Sequence, residues 1–363
     1  MFAFNSLLKI ELFNNLQYNF NFFITFLLTP IPTLRIKYAI SLIFPFHDPT
    51  ESGESMPHIW PIGGGKGGSG KSFVTGSLGI MLAKDGHQTL LMDVDLGAAN
   101  LHTIIGIPHP EKSLSDFIHR KVATLHDTAV STGITNLDLI SGAMDNLDIA
   151  NLAYEQKARL LRQIVKLPYE YILLDLGGGT SFNTIDFFMI SHTGVFITTP
   201  EPTAIENIYR LIRAVYFRKV KQILNSHVFK TLAKEAEEQN NRASVTNPEF
   251  LLYVIKDLDP EKGELLEREL TSFDFSLIVN QHRKQDNPQL GKLMSKIVEK
   301  HLRLNMRFLG NIAFDDRVHN AVCKKSPFID LYPYTQTALD LRECGKILTA
   351  ATCPSMLEQR VAN

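Results

Sequence analysis

Cysteine is scarce in this 363-residue chain: there are three, Cys323, Cys344 and Cys353, and no two of them form a C-x-x-C pair. That spacing argues against a disulfide framework and against a zinc or iron–sulfur site built from one chain. The odd number suits a reducing cytosol better than secretion. Net charge is nearly absent too, since 37 basic and 38 acidic residues leave −1. Such a balance gives no electrostatic footprint for nucleic acid, and no specific nucleic-acid partner is expected. No apolar run reaches the roughly 20 residues that a spanning helix needs. Internal repeats and low-complexity tracts are lacking as well.

The first 55 residues differ in composition from the rest. They hold nine of the 23 phenylalanines and no Asp before Asp48. Two apolar runs, FFITFLL and YAISLIFPF, are separated by Pro30, Pro32, Arg35 and Lys37. No small-residue cleavage site follows the first run, as a signal peptide would require. Residues 1–55 therefore read as an atypical extension from a mis-called start, with Met56 as the expected true start. A membrane-contacting leader is the alternative.

The stretch GGGKGGSGKS, residues 63–72, is the most informative in the chain. The pattern G-x-x-x-x-G-K-[ST] fits Gly65 through Ser72. An apolar run, HIWPI, precedes it and a helical stretch follows it, which is the strand–loop–helix context that a phosphate loop requires. Backbone N–H groups of Gly65, Gly67, Gly68, Ser69 and Gly70 can turn toward an anion with no Cβ in the way. The helix starting near Gly70 adds its positive end. Lys71 is placed to reach the β- and γ-phosphates, and the Ser72 hydroxyl to ligate Mg2+. A phosphate loop needs one lysine, however, and this one has a second, Lys66.

Seven apolar runs read as strands: 58–62, 88–94, 136–141, 170–175, 194–199, 275–280 and 307–313. Helical patterns between most of them imply an α/β fold, a mostly parallel sheet flanked by helices. Nucleotides bind such sheets at the carboxyl ends of the strands. One connection, from Pro200 to Ser276, is about 75 residues long, where a crossover needs roughly a dozen or more. Asn247-Pro248 and Asp259-Pro260 are helix-start signals within it. We read 219–274 as a helical insertion, either a partner-binding surface or an embellishment without its own role.

The motifs fall at strand ends. The second strand ends LLMDVDLGAAN; Asp93 and Asp95, two apart on a strand, point the same way. One can hold Mg2+ and the other can orient or deprotonate the attacking water. The fourth strand closes on Asp175 in a Walker B arrangement, where a carboxylate binds Mg2+. Gly177, Gly178 and Gly179 follow, able to sense the γ-phosphate as switch loops do. The sixth strand ends SLIVNQHR, and the Asn280 carboxamide is a candidate to read adenine.

KGGSGKS resembles the deviant Walker A motif, K-G-G-x-G-K-[ST], of the MinD/ParA family of SIMIBI-class P-loop ATPases. The resemblance extends over most of residues 56–350, leaving 351–363 as a tail. It implies that Lys66 crosses an ATP-sandwiched homodimer interface and contacts phosphates in the other subunit. DVDLGAANL is similar to the family's switch I, which implies that Asp95 positions the hydrolytic water and that Asp93 lies near Mg2+. ITTPEPTAIENIYRLIR and the closing LGNIAFDDRVHNAVCKKSPFIDLYPYTQTALDL resemble the flagellar-number regulators, the FlhG/FleN branch. The family pattern also implies that Asn280 and the loop at Asp315–Asp316 surround the adenine. Departures exist. DLGGGTSFN lacks the proline usual after the aspartate, no D-Q-A activating motif is present, and the C-terminus has no basic amphipathic face.

The resemblance implies an ATP-binding and ATP-hydrolysing dimerisation switch that needs Mg2+ and a protein partner, and that positions or counts an assembly such as flagella. It places the protein in the cytoplasm, with contact at the inner membrane face left open. The alternative is a biosynthetic enzyme of the cobyrinic acid a,c-diamide synthase or dethiobiotin synthetase type, which uses the same core to phosphorylate a carboxylate.

Overall fold

Strand β1 (His58–Gly64) is buried from Ile59 to Gly64, so its run HIWPIGG does not alternate. A strand with helices on both faces has no solvated side to require polar residues. The computed structural model describes residues 56–95, 99–108, 110–142, 152–224 and 248–352. The extension expected at 1–55 and tail residues 353–363 lie outside the described residues.

After β1 come helix α1 (Lys71–Lys84), β2 (Thr89–Asp93), the short helices α2 (Leu101–Ile104) and α3 (Leu114–Ile118), β3 (Val130–Ser131), β4 (Leu137–Ile140) and α4 (Tyr154–Ile164). Next are β5 (Tyr171–Gly178), α5 (Phe182–Phe188), β6 (Thr193–Thr198), α6 (Pro202–Ile223), α7 (Pro248–Leu258) and α8 (Pro260–Thr271). The chain continues through β7 (Asp274–His282), α9 (Leu290–Leu302), β8 (Asn305–Ala313), α10 (Arg317–Cys323), α11 (Phe328–Leu331) and α12 (Gln336–Thr352). The strands lie in the order β3-β4-β2-β5-β1-β6-β7-β8. Every pairing is parallel except that of β3 with β4. The α/β sheet expected from the alternating pattern is therefore the fold.

β3 is the strand that the sequence reading misses. Two residues carry no measurable period, and β3 exists only by pairing with Leu139 and Asp138 of β4. β5 also outruns its expected end at residue 175, because Gly178 pairs with Gly64 past an irregularity in β1.

The chain leaves β1 for β2 on one side, and β5 for β6 on the other. The order thus reverses beside β1, and the crevice at the carboxyl ends there is the place where such sheets bind ligands. The core beneath that crevice is close-packed. Trp60 meets Tyr171 edge-on at 5.0 Å, and Phe188 stacks on Phe196 at 4.3 Å. Trp60, Ile62, Leu78, Leu173 and Phe196 are all essentially inaccessible, and burying each large apolar side chain contributes about 1.5–3 kcal/mol.

The long connection between β6 and β7 is helical where it is described. α8 begins as its sequence signal implies: Pro260 occupies the first turn, and the Asp259 side chain accepts from the Lys262 N–H at 3.1 Å. α6 runs unbroken through residue 219, and Lys219 pairs with Glu269 of α8 at 2.9 Å. Residues 225–247 lie outside the described residues.

Candidate functional site

The loop between β1 and α1 is shaped by two glycines that no other residue replaces. A Cβ on Gly65 would lie 2.3 Å from the Asn207 carbonyl carbon, so the α6 backbone packs directly on the loop. Gly70 has φ +82°, and a Cβ there would lie 2.2 Å from Asn280 Nδ2. Gly67 and Gly68 instead face open space. No side chain caps the start of α1, so its first N–H groups are left for an external acceptor.

Lys71 is buried, and its ammonium donates to the Lys66 carbonyl over a long 3.4 Å. The register pairs Asp175 of β5 with Ile62 of β1 and Asp93 of β2. This brings the strand-end carboxylates together beside the loop. Asp93 and Asp175 are 1% and 2% exposed. Burial foremost, and then the nearby Asp93 charge, push the Asp175 carboxyl up to about 7, while a Ser72 hydrogen bond and Lys71 oppose the rise. Burial likewise pushes Asp93 up to about 6, against backbone hydrogen bonds from Leu101 and Asp95. The Thr75 hydroxyl lies 3.4 Å from Asp175 Oδ1.

Asp95 departs from the expected geometry. β2 ends at Asp93, so strand alternation does not orient Asp95. Its N–H donates to Asp93 Oδ1 at 3.1 Å. Its carboxylate instead lies against the end of β5, where a Cβ on Gly177 would be 3.2 Å from Asp95 Cγ. Asp93 is thereby committed to the backbone: its other oxygen accepts from Leu101 N–H at 3.0 Å. A Cβ on Gly178 would come within 3.0 Å of the Lys66–Gly67 peptide.

The two adenine candidates are also otherwise engaged. Asn280 is buried, and its Nδ2 donates to the Ser69 carbonyl at 2.9 Å. The Asp315 carboxylate is held by Arg317 through two contacts of 2.8 Å. Lys66 lies at the rim of the loop, where its ammonium is 2.5 Å from Glu201 Oε2.

Three residues of the site escaped the sequence reading. Thr75 had a signal, because it follows Lys71 by one helical turn and shares its face. Glu201 lies in the stretch ITTPEPTAIENIYRLIR, but nothing local ties it to Lys66. Gln281 takes a left-handed φ of 57°, rare for this residue type, and donates to the Gly68 carbonyl at 2.9 Å.

The donor set fits a magnesium–nucleotide. The loop leaves backbone and a buried ammonium facing one end of the sheet. The buried Ser69 hydroxyl has no partner among the described residues, and the adjoining carboxyls of Asp93 and Asp175 are destabilised as anions until a cation joins them. Residues 61–328 match the CobQ/CobB/MinD/ParA nucleotide-binding domain family. The chain belongs to this family. Over 297 residues it is 22% identical to the antiactivator FleN of Pseudomonas aeruginosa, covering 81% of this chain and 87% of FleN. A putative septum site-determining protein MinD of Oltmannsiellopsis viridis is 25% identical over 286 residues, 77% of this chain and 81% of that protein. The septum site-determining protein MinD of Pyrococcus horikoshii OT3, solved with Mg-ADP, superposes with a TM-score of 0.56 at 18% identity, covering 81% of this chain and 96% of that one. The fold is thus shared with that MinD over most of the chain.

Proposed function

We propose that this chain binds ATP with Mg2+, dimerises around it, and hydrolyses it to reset. The observation that carries this reading is the pair of lysines. Lys71 is buried within the loop, while Lys66 sits at its rim, paired among the described residues with a glutamate that is itself 59% exposed. A rim lysine with so loose a partner is free to be exchanged for phosphates of a second subunit.

Each residue then has a role. Lys71 and the N–H groups of Gly65, Gly67, Gly68, Ser69 and Gly70 bind the phosphates. Ser72 and Asp175 are the groups that would hold Mg2+, which supplies neutralisation of charge between the phosphates. Asp93 fixes the turn that carries Asp95. Asp95 orients a water and accepts its proton. Gly178, beside the Lys66–Gly67 peptide, reports loss of the γ-phosphate to α5. A protein partner that distinguishes the two states reads the output. Relatives covering most of the chain are FleN and MinD proteins, which favours positioning or counting an assembly such as flagella over biosynthetic ligation. The reading places the protein in the cytoplasm, with any contact at the inner membrane face peripheral. Among the described residues no helix is long and apolar enough to cross a membrane.

The test is the solution mass by light scattering, with Mg-ADP and then Mg-ATP. Asp95→Ala holds the ATP state, and Lys66→Ala is run beside it. A dimer that forms only with ATP and only with Lys66 supports the switch. A mass indifferent to nucleotide refutes it.

A further inference from the structure

We infer that the outer faces of α7–α8 and α9 form a second interface, through which one copy of this chain pairs with another. α7 packs beside α9, and α8 packs on α7. Both α7 and α9 leave large apolar side chains uncovered: Tyr253 is 68% exposed, and Leu293 and Ile297 are 49% and 44% exposed. Leu293 and Ile297 are one helical turn apart and share a face. α9 already buries Met294, Val298 and Leu302 on its inner side, so the outward pair is a second apolar face, of the kind that marks an interaction surface.

Charge decides what covers it. Lys296 and Lys300 are exposed and lie within about 100° of Ile297 around the helix. α7–α8 carries the opposite sign: Asp257 follows Tyr253 by one turn, and Asp257, Glu261 and Glu264 are all exposed. The lysines next to them in sequence, Lys256 and Lys262, are already paired with Glu267 and Asp259. Lys296, Lys300, Asp257, Glu261 and Glu264 have no ion-pair partner among the described residues. An anionic membrane or a nucleic acid would be drawn to α9 and repelled by the carboxylates beside it. A protein with the same two signs side by side suits both, and a second copy carries them by construction. Set about a two-fold axis, α7–α8 of each copy faces α9 of the other, so every contact is made twice. None of these residues belongs to the nucleotide site, so the inference stands apart from the switch reading.

Sedimentation equilibrium of the nucleotide-free full chain tests this. Two helix faces make a small, transient interface, so a dissociation constant of about 10–100 μM is expected, with monomer at about 1 μM, where an ATP-driven dimer is measured without interference. Lys296→Glu with Lys300→Glu, and separately Asp257→Lys with Glu264→Lys, set like charges face to face and should each weaken pairing about tenfold or more. Mixed together, the two variants should pair within about threefold of wild-type affinity, because each supplies the sign that the other has lost. Lys66→Ala should pair as the wild type does, which separates this contact from an ATP dimer. Unchanged circular dichroism and thermal midpoint show that each variant is folded. A wild type still monomeric at about 500 μM overturns the inference, as does a charge variant that pairs normally or a mixture that stays monomeric. Binding of the wild type, but not of Lys296→Glu with Lys300→Glu, to phosphatidylglycerol vesicles without self-association overturns it in favour of a lipid surface.

Discussion

Asp175→Asn should make the nucleotide-free protein more stable while removing its response to Mg-ATP. In the wild type the Asp175 carboxyl is buried beside Asp93 and is pushed up to about 7. The folded state therefore binds more protons than the unfolded state between about pH 4 and pH 7. Its stability falls as pH rises through that window, because the unfolded chain ionises first; above it the full penalty is present. At about 1.36 kcal/mol per pKa unit, the penalty at pH 8 is of the order of 4 kcal/mol. Asparagine has nearly the same shape and can still accept from the Ser72 and Thr75 hydroxyls, but it carries no charge to desolvate. Urea unfolding in EDTA across pH 4–8 measures the effect. The variant and wild type should be close at pH 4, diverge toward pH 7, and run parallel above it. Mg-ATP should then raise the midpoint of the wild type and not of the variant. A variant less stable at pH 8, or a gap independent of pH, refutes the account of the site as a carboxylate pair strained by burial.

Asp95→Asn should keep Mg-ATP affinity and slow single-turnover phosphate release by about a hundredfold or more, the usual loss when a general base is removed; unchanged release takes Asp95 out of the chemistry. Gly65→Ala should lower stability by about 1–3 kcal/mol, measured by denaturant midpoint, because its methyl would lie 2.3 Å from the Asn207 carbonyl carbon. Asp186→Ala should cost about 3–5 kcal/mol in the same assay, since it strands Lys157 and Arg218 at 10% and 24% exposure in a cluster between α4, α5 and α6.

The phosphate loop was legible because everything that defines it is local: glycine spacing, one apolar run before it and one helical run after. Asp175 and Asp93 were legible because a strand end is local too, and both fall where an apolar run stops. What was not legible depends on strand order. Whether the crossover from β5 passes to the far side of β1 is not written in any one segment, yet it decides that β7 stands two places from the loop and that Asn280 meets Ser69. The same holds for Glu201, 135 residues from Lys66 in sequence. The orientation of Asp95 was not legible for a different reason: β2 ends at Asp93, so strand alternation does not reach residue 95. β3 failed because two residues cannot show a period.

Two of the lysine ion pairs, Lys66–Glu201 and Lys157–Asp186, show how burial suits one contact to change and the other to persist. Lys66 and Glu201 are 33% and 59% exposed, so solvent screens them and the pair is worth about 0–1 kcal/mol. Giving it up for a phosphate across a dimer interface costs little and leaves neither charge buried alone. Lys157 and Asp186 are 10% and 8% exposed, and separating them would strand a charge away from water. In the switch proposed above, a site that exchanges partners at every cycle needs the first kind of pair at its rim. A helix proposed to carry a motion of the Gly177–Gly179 loop as a rigid body needs the second kind along its flank, and α5, which follows that loop, has it in Asp186.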